Sequence, residues 1–198
     1  MTRDAARILV ASIASLGALA LLLWLFLDRD LDDVGSSTAP EKQETWLAGN
    51  AVTLLFPSAG GRLSEEIREL PAVIEPEVRI RQTVEALLAG PEQSGLYAPL
   101  PAGISLGSVF LAGDGTAFLD LITGEGVGTP SWGSKQELLA VYSLVNTVLT
   151  NEPQARRVTL LWNGQQRSTF AGHVDLTRPL TLHSGLIAPK PAPVAEGS

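Results

Sequence analysis

A run of twenty uncharged residues, Ile8 to Leu27 (ILVASIASLGALALLLWLFL), sets the layout of this chain before anything else is read. As a helix it would be roughly 30 Å long, the thickness of a bilayer's hydrocarbon core. It is apolar all round, which suits lipid better than a half-exposed helix of a globular core. Arg3 and Arg7 precede it, and Asp28, Arg29, Asp30, Asp32 and Asp33 follow. The positive flank stays on the cytoplasmic side, so the N-terminus is expected inside and the rest outside. A cleaved signal peptide has a shorter apolar stretch with small residues close behind it. Here acidic residues follow directly, so a retained anchor is the expectation.

The remaining chain divides by composition. Residues 1–7 form a cytoplasmic N-terminus, 8–27 the transmembrane anchor, and 28–48 a polar tether around Gly35-Ser36-Ser37-Thr38-Ala39-Pro40. Residues 49–188 are long enough to bury a core as one domain. Residues 189–198 (PKPAPVAEGS) read as a disordered tail. There is no cysteine, so disulfides, thiol nucleophiles and thiolate metal sites are excluded. A formal net charge of −7 without a basic stripe argues against a nucleic-acid partner.

Three hairpin signals mark the domain. Val52, Leu54 and Phe56 alternate before Ser58-Ala59-Gly60-Gly61, with a second strand over Arg62 to Leu70. Ser108 to Ala112 and Thr116 to Ile122 flank Gly113-Asp114-Gly115. Val158 to Trp162 and Gln165 to Phe170 flank Asn163-Gly164, whose residues tolerate the positive φ of a tight turn. Two helices separate the hairpins. The first spans 76–89, opened by Pro76 and ended by Gly90-Pro91, with Ile80, Val84, Leu87 and Leu88 as its stripe and Glu77–Arg81 as an i,i+4 pair. The second spans 135–150, with Ser134 and Glu137 as a capping box. Leu139 and Leu144 widen its apolar stripe, which predicts deep burial or a second apolar contact. The expected class is α+β: a mainly antiparallel sheet built from hairpins, two helices packed on one face, and one transmembrane helix before them.

Several patterns suggest chemistry. Gly103-Ile104-Ser105-Leu106-Gly107 matches G-x-S-x-G, with Asp120 and His173 following in hydrolase order. A nucleophile elbow needs a strand before the serine and a helix after it. Here a proline-rich loop precedes Ser105 and a strand follows. Gly124-Glu125-Gly126-Val127-Gly128 lacks phosphate-loop spacing, and its strand arrives from a hairpin rather than a βαβ unit. His173 and Asp175 supply two ligands, short of what zinc takes; His173 is expected on a backbone group instead. Glu65, Glu66 and Glu69 read as a solvated strand face. Trp46, Trp132 and Trp162 read as core fillers or loop anchors.

The segments VTLLFPSAGGRLSEEIRELP (52–71), VEALLAGPEQSGLYAPLPAG (84–103), SKQELLAVYSLVNTVLT (134–150) and RRVTLLWNGQQRSTFAGHVDLTRPL (156–180) together resemble the GerMN domain family. That family takes its name from a spore-germination and sporulation protein. Gly90-Pro91 and Gly95 to Pro101 match its loop after the first helix. Ser134, Glu137, Tyr142 and Asn146 match the second helix, and Gly172 to Asp175 the closing segment. The resemblance implies a small α/β sandwich and a non-catalytic interaction or assembly module of the bacterial cell envelope. It supplies no catalytic residues, metal or cofactor. The archetype is a lipoprotein with two such domains, whereas this chain is expected to carry one and a protein anchor. The stretch from Thr123 to Gly133 is longer or looser than the family's usual loop.

The expectation is therefore a single-pass protein of the bacterial inner membrane with its domain outside the cytoplasm. Its partner would be a protein or a second copy of itself. The expected binding surface is Tyr97, Leu100, Trp132 and Leu139. The rivals are an envelope serine hydrolase using Ser105, and a ligand-binding sensor with Trp132 or Trp162 at its pocket.

Overall fold

In a computed structural model, residues 49–128 and 131–189 are described. The expected cytoplasmic N-terminus, anchor and tether lie outside them, as do Trp46 and residues 190–198 of the tail. Among the described residues no helix is long and apolar enough to cross a membrane.

The first hairpin forms as its alternation demands. β1 (Asn50–Pro57) pairs antiparallel with β2 (Leu63–Leu70) in unbroken register from Asn50 opposite Leu70 to Pro57 opposite Leu63. Val52, Leu54 and Phe56 point together into the core. Leu55, on the opposite face, is buried too. It joins Leu63 and Leu139 in a second cluster, with Tyr142, Leu186 and Ile187 packed against it. This is the second apolar contact that the wide stripe of the long helix predicts.

α1 (Pro76–Leu88) starts with proline at its first position and buries Ile80, Thr83, Val84 and Leu87. Its ion pair differs from the i,i+4 reading: Arg81 faces Glu85 at 3.5 Å, not Glu77, and donates to the carbonyl of Gly107 at 2.9 Å. β3 (Ile104–Leu111) and β4 (Thr116–Thr123) come next, antiparallel, with a bulge between Leu106 and Val109. α2 (Ser134–Asn151) then leads to β5 (Arg157–Trp162) and a two-residue β6 (Gln165–Gln166).

The class is α+β with two helices, but the sheet differs from a hairpin-only reading. β1 and β2 form a sheet of two strands, and the others a sheet in the order β3-β4-β5-β6. β4 and β5 are parallel, from Thr116 opposite Arg157 to Leu121 opposite Trp162. Tight turns can join only antiparallel neighbours; the eighteen-residue α2 is long enough to return the chain to the same end of the sheet. The glycines at 124–128 therefore leave a strand that does enter a β-α-β unit. Ala117, Leu119 and Leu121 of β4 align with Val158, Leu160 and Trp162 of β5, and all six are buried. α1 packs on β3 and β1, α2 on β1 and β5, and the two helices on each other.

The third hairpin is shorter than its alternation suggests, because the chain leaves the sheet after Gln166. Its turn is as expected. Asn163 has φ 49° and Gly164 φ 74°. The Asn163 side chain ties the turn to Thr123, and the Gly164 N–H donates to Asp120 at 2.8 Å. A methyl on Gly164 would meet nothing within 4 Å, so only backbone strain opposes it. Gly164→Ala is expected to cost about 1 kcal/mol, a fall of roughly 3 °C in thermal midpoint measured by circular dichroism.

Polar residues of α2 close the outer edge of β1. Asn151 accepts from the N–H of Thr53 at 2.9 Å and donates to its carbonyl at 2.8 Å. Thr147 accepts from the N–H of Leu55 at 3.0 Å, and the Ser143 hydroxyl donates to the Leu55 carbonyl. At spacing i, i+4, i+8 these three side chains lie along one line of the helix and satisfy backbone groups that a neighbouring strand would otherwise take.

Candidate functional site

Among the described residues a cleft of about 320 Å³ is bounded by three segments. Pro57, Ser58 and Gly61 come from the end of β1 and the turn after it, Tyr97, Ala98 and Pro99 from the loop after α1, Trp132 from the segment before α2, and Lys135, Gln136 and Leu139 from the start of α2. The Tyr97 N–H donates to the Pro57 carbonyl at 2.9 Å, which fixes that loop to β1, and Tyr97 is 55% exposed. Gly61, at φ 67°, has no side chain, and the Lys135 ammonium lies directly over it. Among the described residues Lys135 has no salt-bridge partner. The cleft thus offers an aromatic ring on two sides, proline and leucine walls, one amide and one cation.

Three of the four residues expected at a binding surface line this cleft: Tyr97, Trp132 and Leu139. Leu139 is also packed against Leu55 and Leu63. Leu100 lies elsewhere, buried in the main core. Trp162 is buried as well and stacks on Phe170 at 4.8 Å, while Trp132 meets Phe170 edge-on at 5.3 Å. Trp132 is thus both a cleft wall and the cap of an aromatic stack.

Two buried carboxylates hold the walls. Glu137 is fully buried. It does not form a capping box: Gly133 is the N-cap of α2 and no side chain caps the helix. Its carboxylate instead accepts from the N–H groups of Phe170 (2.9 Å), Ala171 (2.8 Å) and His173 (2.7 Å). A carboxylate can only accept, so His173 Nδ1, 3.0 Å away, donates as well. His173 therefore bonds a carboxylate through its ring, not the backbone group expected from sequence. This set of bonds draws residues 170–173 off the sheet, which is why β6 is short. It also seats Phe170 beneath Trp132.

Glu66 is the counterpart at the other wall. Sequence alternation places it on a solvated face, yet it is 2% exposed. It accepts from the N–H groups of Glu92 (3.0 Å) and Gln93 (2.8 Å) and pairs with Arg68. Arg68 in turn donates to the carbonyls of Ala86 and Gly90, at 3.0 and 2.6 Å, closing the C-terminal end of α1. The loop so fixed leads within a few residues to Tyr97. Glu152 plays the same part between α2 and α1, accepting from Arg79 at 2.7 Å. These roles escape a reading by alternation, which cannot distinguish a carboxylate facing water from one facing a loop's N–H groups.

Burial alone would raise the pKa of Glu137, but the N–H groups of Ala171, His173, Val174 and Phe170 more than offset it and hold it below the ordinary carboxylate range. Glu66 is likewise lowered, burial being outweighed by the N–H of Gln93, Arg68 and the N–H of Glu92. A carboxyl whose folded pKa is depressed contributes stability above its unfolded value and loses it as pH falls through the folded value. Urea midpoints are therefore expected to be flat from pH 7 to about 5 and to drop below about pH 4. In Glu137→Gln the drop should shrink.

The hydrolase pattern is not assembled as an elbow. Ser105 stands within β3 opposite Ile122, Asp120 accepts from the N–H of Gly164, and His173 is turned to Glu137.

A family model described as "Germane: Sporulation and spore germination" matches residues 53–168, more than half of the chain. The first GerMN domain of the sporulation protein GerM from Bacillus subtilis is 22% identical, with a TM-score of 0.54 over 67% of this chain and 97% of that one. The tandem GerMN domains of the same protein give 23% identity and a TM-score of 0.56 over 68% of this chain and 46% of the tandem. The chain thus spans about half the length of the tandem. No curated protein matches it.

Proposed function

The chain belongs to the Germane family of sporulation and spore-germination domains, and from that premise we propose that it is a membrane-anchored, extracytoplasmic binding module of the bacterial envelope. The run Ile8 to Leu27 supports the anchor, and the charges on its two flanks support an outward-facing domain. It acts by holding a protein partner or a second copy of itself, without catalysis and without nucleic acid.

The observation that carries the binding role is the cleft between Tyr97 and Trp132. Its two walls are each fixed from behind by a buried glutamate, so the groove is already shaped when a partner arrives. Preorganised walls reduce the ordering cost of association. Exposed Tyr and half-buried Trp supply large contact area with few rotatable bonds. Lys135 adds a cation in a protein of net charge −7, so the favoured segment is apolar with a carboxylate.

A photoreactive amino acid placed at Tyr97 in growing cells is expected to yield one discrete crosslinked species, reduced severalfold in Trp132→Ala. The same probe at Glu85, on the exposed side of α1, should yield none. Equal patterns at the two positions, or no adduct at Tyr97, would reject the cleft as the binding site.

A further inference from the structure

The two edges of the β1–β2 sheet are treated differently. On β1, side chains of α2 bond the backbone groups of Thr53 and Leu55, and the N–H of Tyr97 takes the Pro57 carbonyl. Thr53 stands opposite Ile67, and Leu55 opposite Glu65. In an antiparallel pair, residues opposite one another turn their backbone groups both inward or both outward. Ile67 and Glu65 therefore point theirs to the far edge of β2, and Glu69, two residues on, does the same. Among the described residues nothing bonds to these six N–H and C=O groups. At the other end the edge is taken: Ile187 bridges Leu63, and the Ala188 N–H donates to the Leu63 carbonyl at 2.7 Å. The open stretch runs from Glu65 to Glu69.

The side chains along it form a pattern. Glu65, Ile67 and Glu69 share the outer face of the strand, and all three are exposed, Ile67 by 65%. Among the described residues neither glutamate has a salt-bridge partner. Edge strands are commonly blunted by lysine, proline or a bulge. β2 contains no lysine and no proline, and its register with β1 is unbroken. Its guard is negative charge, and that guard is selective. A second copy added antiparallel about Ile67 would set Glu65 opposite Glu69 twice, and like charges directly opposite are destabilising. A strand with a cation at each of those positions meets opposite charge instead.

We propose that the β2 edge from Glu65 to Glu69 is a docking site for an extended segment of another polypeptide, one with an apolar residue flanked two places away on each side by Lys or Arg. The segment would add as a third strand. Its backbone would bond the six open groups, its apolar residue would cover Ile67, and its two cations would pair with Glu65 and Glu69. Main-chain bonds supply affinity in such additions, and alternate side chains supply the choice of partner. None of the three residues lines the cleft, so the edge is a second surface, independent of the cleft's role.

Titration of the full chain in non-ionic detergent micelles with two synthetic peptides tests this, read from the backbone amide resonances. One peptide alternates threonine with lysine, valine and lysine; the other has glutamate in place of both lysines. The lysine peptide is expected to shift the Glu65, Ile67 and Glu69 amides saturably. At low salt it should bind at least about tenfold more tightly than the glutamate peptide. In Glu65→Lys/Glu69→Lys that order should reverse, and a gain of binding for the glutamate peptide cannot come from a lost fold. Ile67→Pro removes the central donor, whose N–H has no partner in the β1 ladder, and should abolish the shifts. Absence of saturable shifts at the three amides would overturn the proposal. So would equal affinity for the two peptides, or binding that survives Ile67→Pro. Slow hydrogen exchange at these amides without peptide would mean that the edge is already filled. Shifts of the Ile67 amide with protein concentration would give the edge to a second copy. Either result would overturn the proposal in the same way.

Discussion

Glu137→Ala is expected to lower the thermal midpoint by about 10 °C or more, the largest single effect at any polar position of the domain. Three N–H groups, those of Phe170, Ala171 and His173, lose their common acceptor, and the His173 ring loses its anchor. A buried donor left unpaired costs about 1–3 kcal/mol. Partial relaxation of the loop towards water recovers some of this, leaving about 3–5 kcal/mol, at roughly 3 °C for each. The damage should spread along a defined route. Phe170 would lose its seat, then Trp132 its edge-on partner, then the cleft its wall. The indole N–H resonance of Trp132 is therefore expected to move or broaden in this variant. A midpoint within about 2 °C of the parent would show that the carboxylate does not hold the loop.

The second large effect belongs to the line of polar residues on α2. Ser143→Ala with Thr147→Val keeps the helix shape and its apolar neighbours. It strips both partners from Leu55, whose N–H and C=O are then buried without acceptor or donor. Two unpaired buried backbone groups predict a loss of about 2–4 kcal/mol. The Leu55 amide should also exchange much faster, ahead of other β1 amides that bond to β2. Asn151 remains on Thr53, so the sheet edge opens in the middle rather than at its end. A loss below about 0.5 kcal/mol would mean that water reaches the edge and that the helix does not stand in for a strand.

Where one periodicity governs a segment, sequence and structure agree. Val52, Leu54 and Phe56 alternate and are buried; Pro76 opens α1; Asn163-Gly164 makes its turn. The wide stripe of α2 is buried on more than one side, as Leu139 and Leu144 indicate. The parallel pairing of β4 and β5 is hidden because each strand also belongs to a tight turn, and a local signal says nothing about a neighbour more than thirty residues away.

The site is legible in its rings but not in its supports. Tyr97, Trp132 and Leu139, expected from sequence at one surface, line one cleft, whereas Leu100 goes to the core. Glu66 and Glu137 escape a sequence reading because charge argues for water until a loop's N–H groups are known to face it. Ser143, Thr147 and Asn151 do leave a trace: three polar residues at i, i+4 and i+8 in a helix otherwise rich in apolar side chains. Such a line on a buried helix asks for polar partners, and the only abundant ones in a core are backbone groups.

The binding role rests on the domain standing outside the cytoplasm. Because the chain has no cysteine, a single Glu125→Cys in the exposed turn after β4 gives a unique reporter. A membrane-impermeant maleimide added to intact spheroplasts is expected to label this thiol as fully as it does after lysis. A thiol that stays unlabelled until the membrane is broken would place the domain inside and contradict the account.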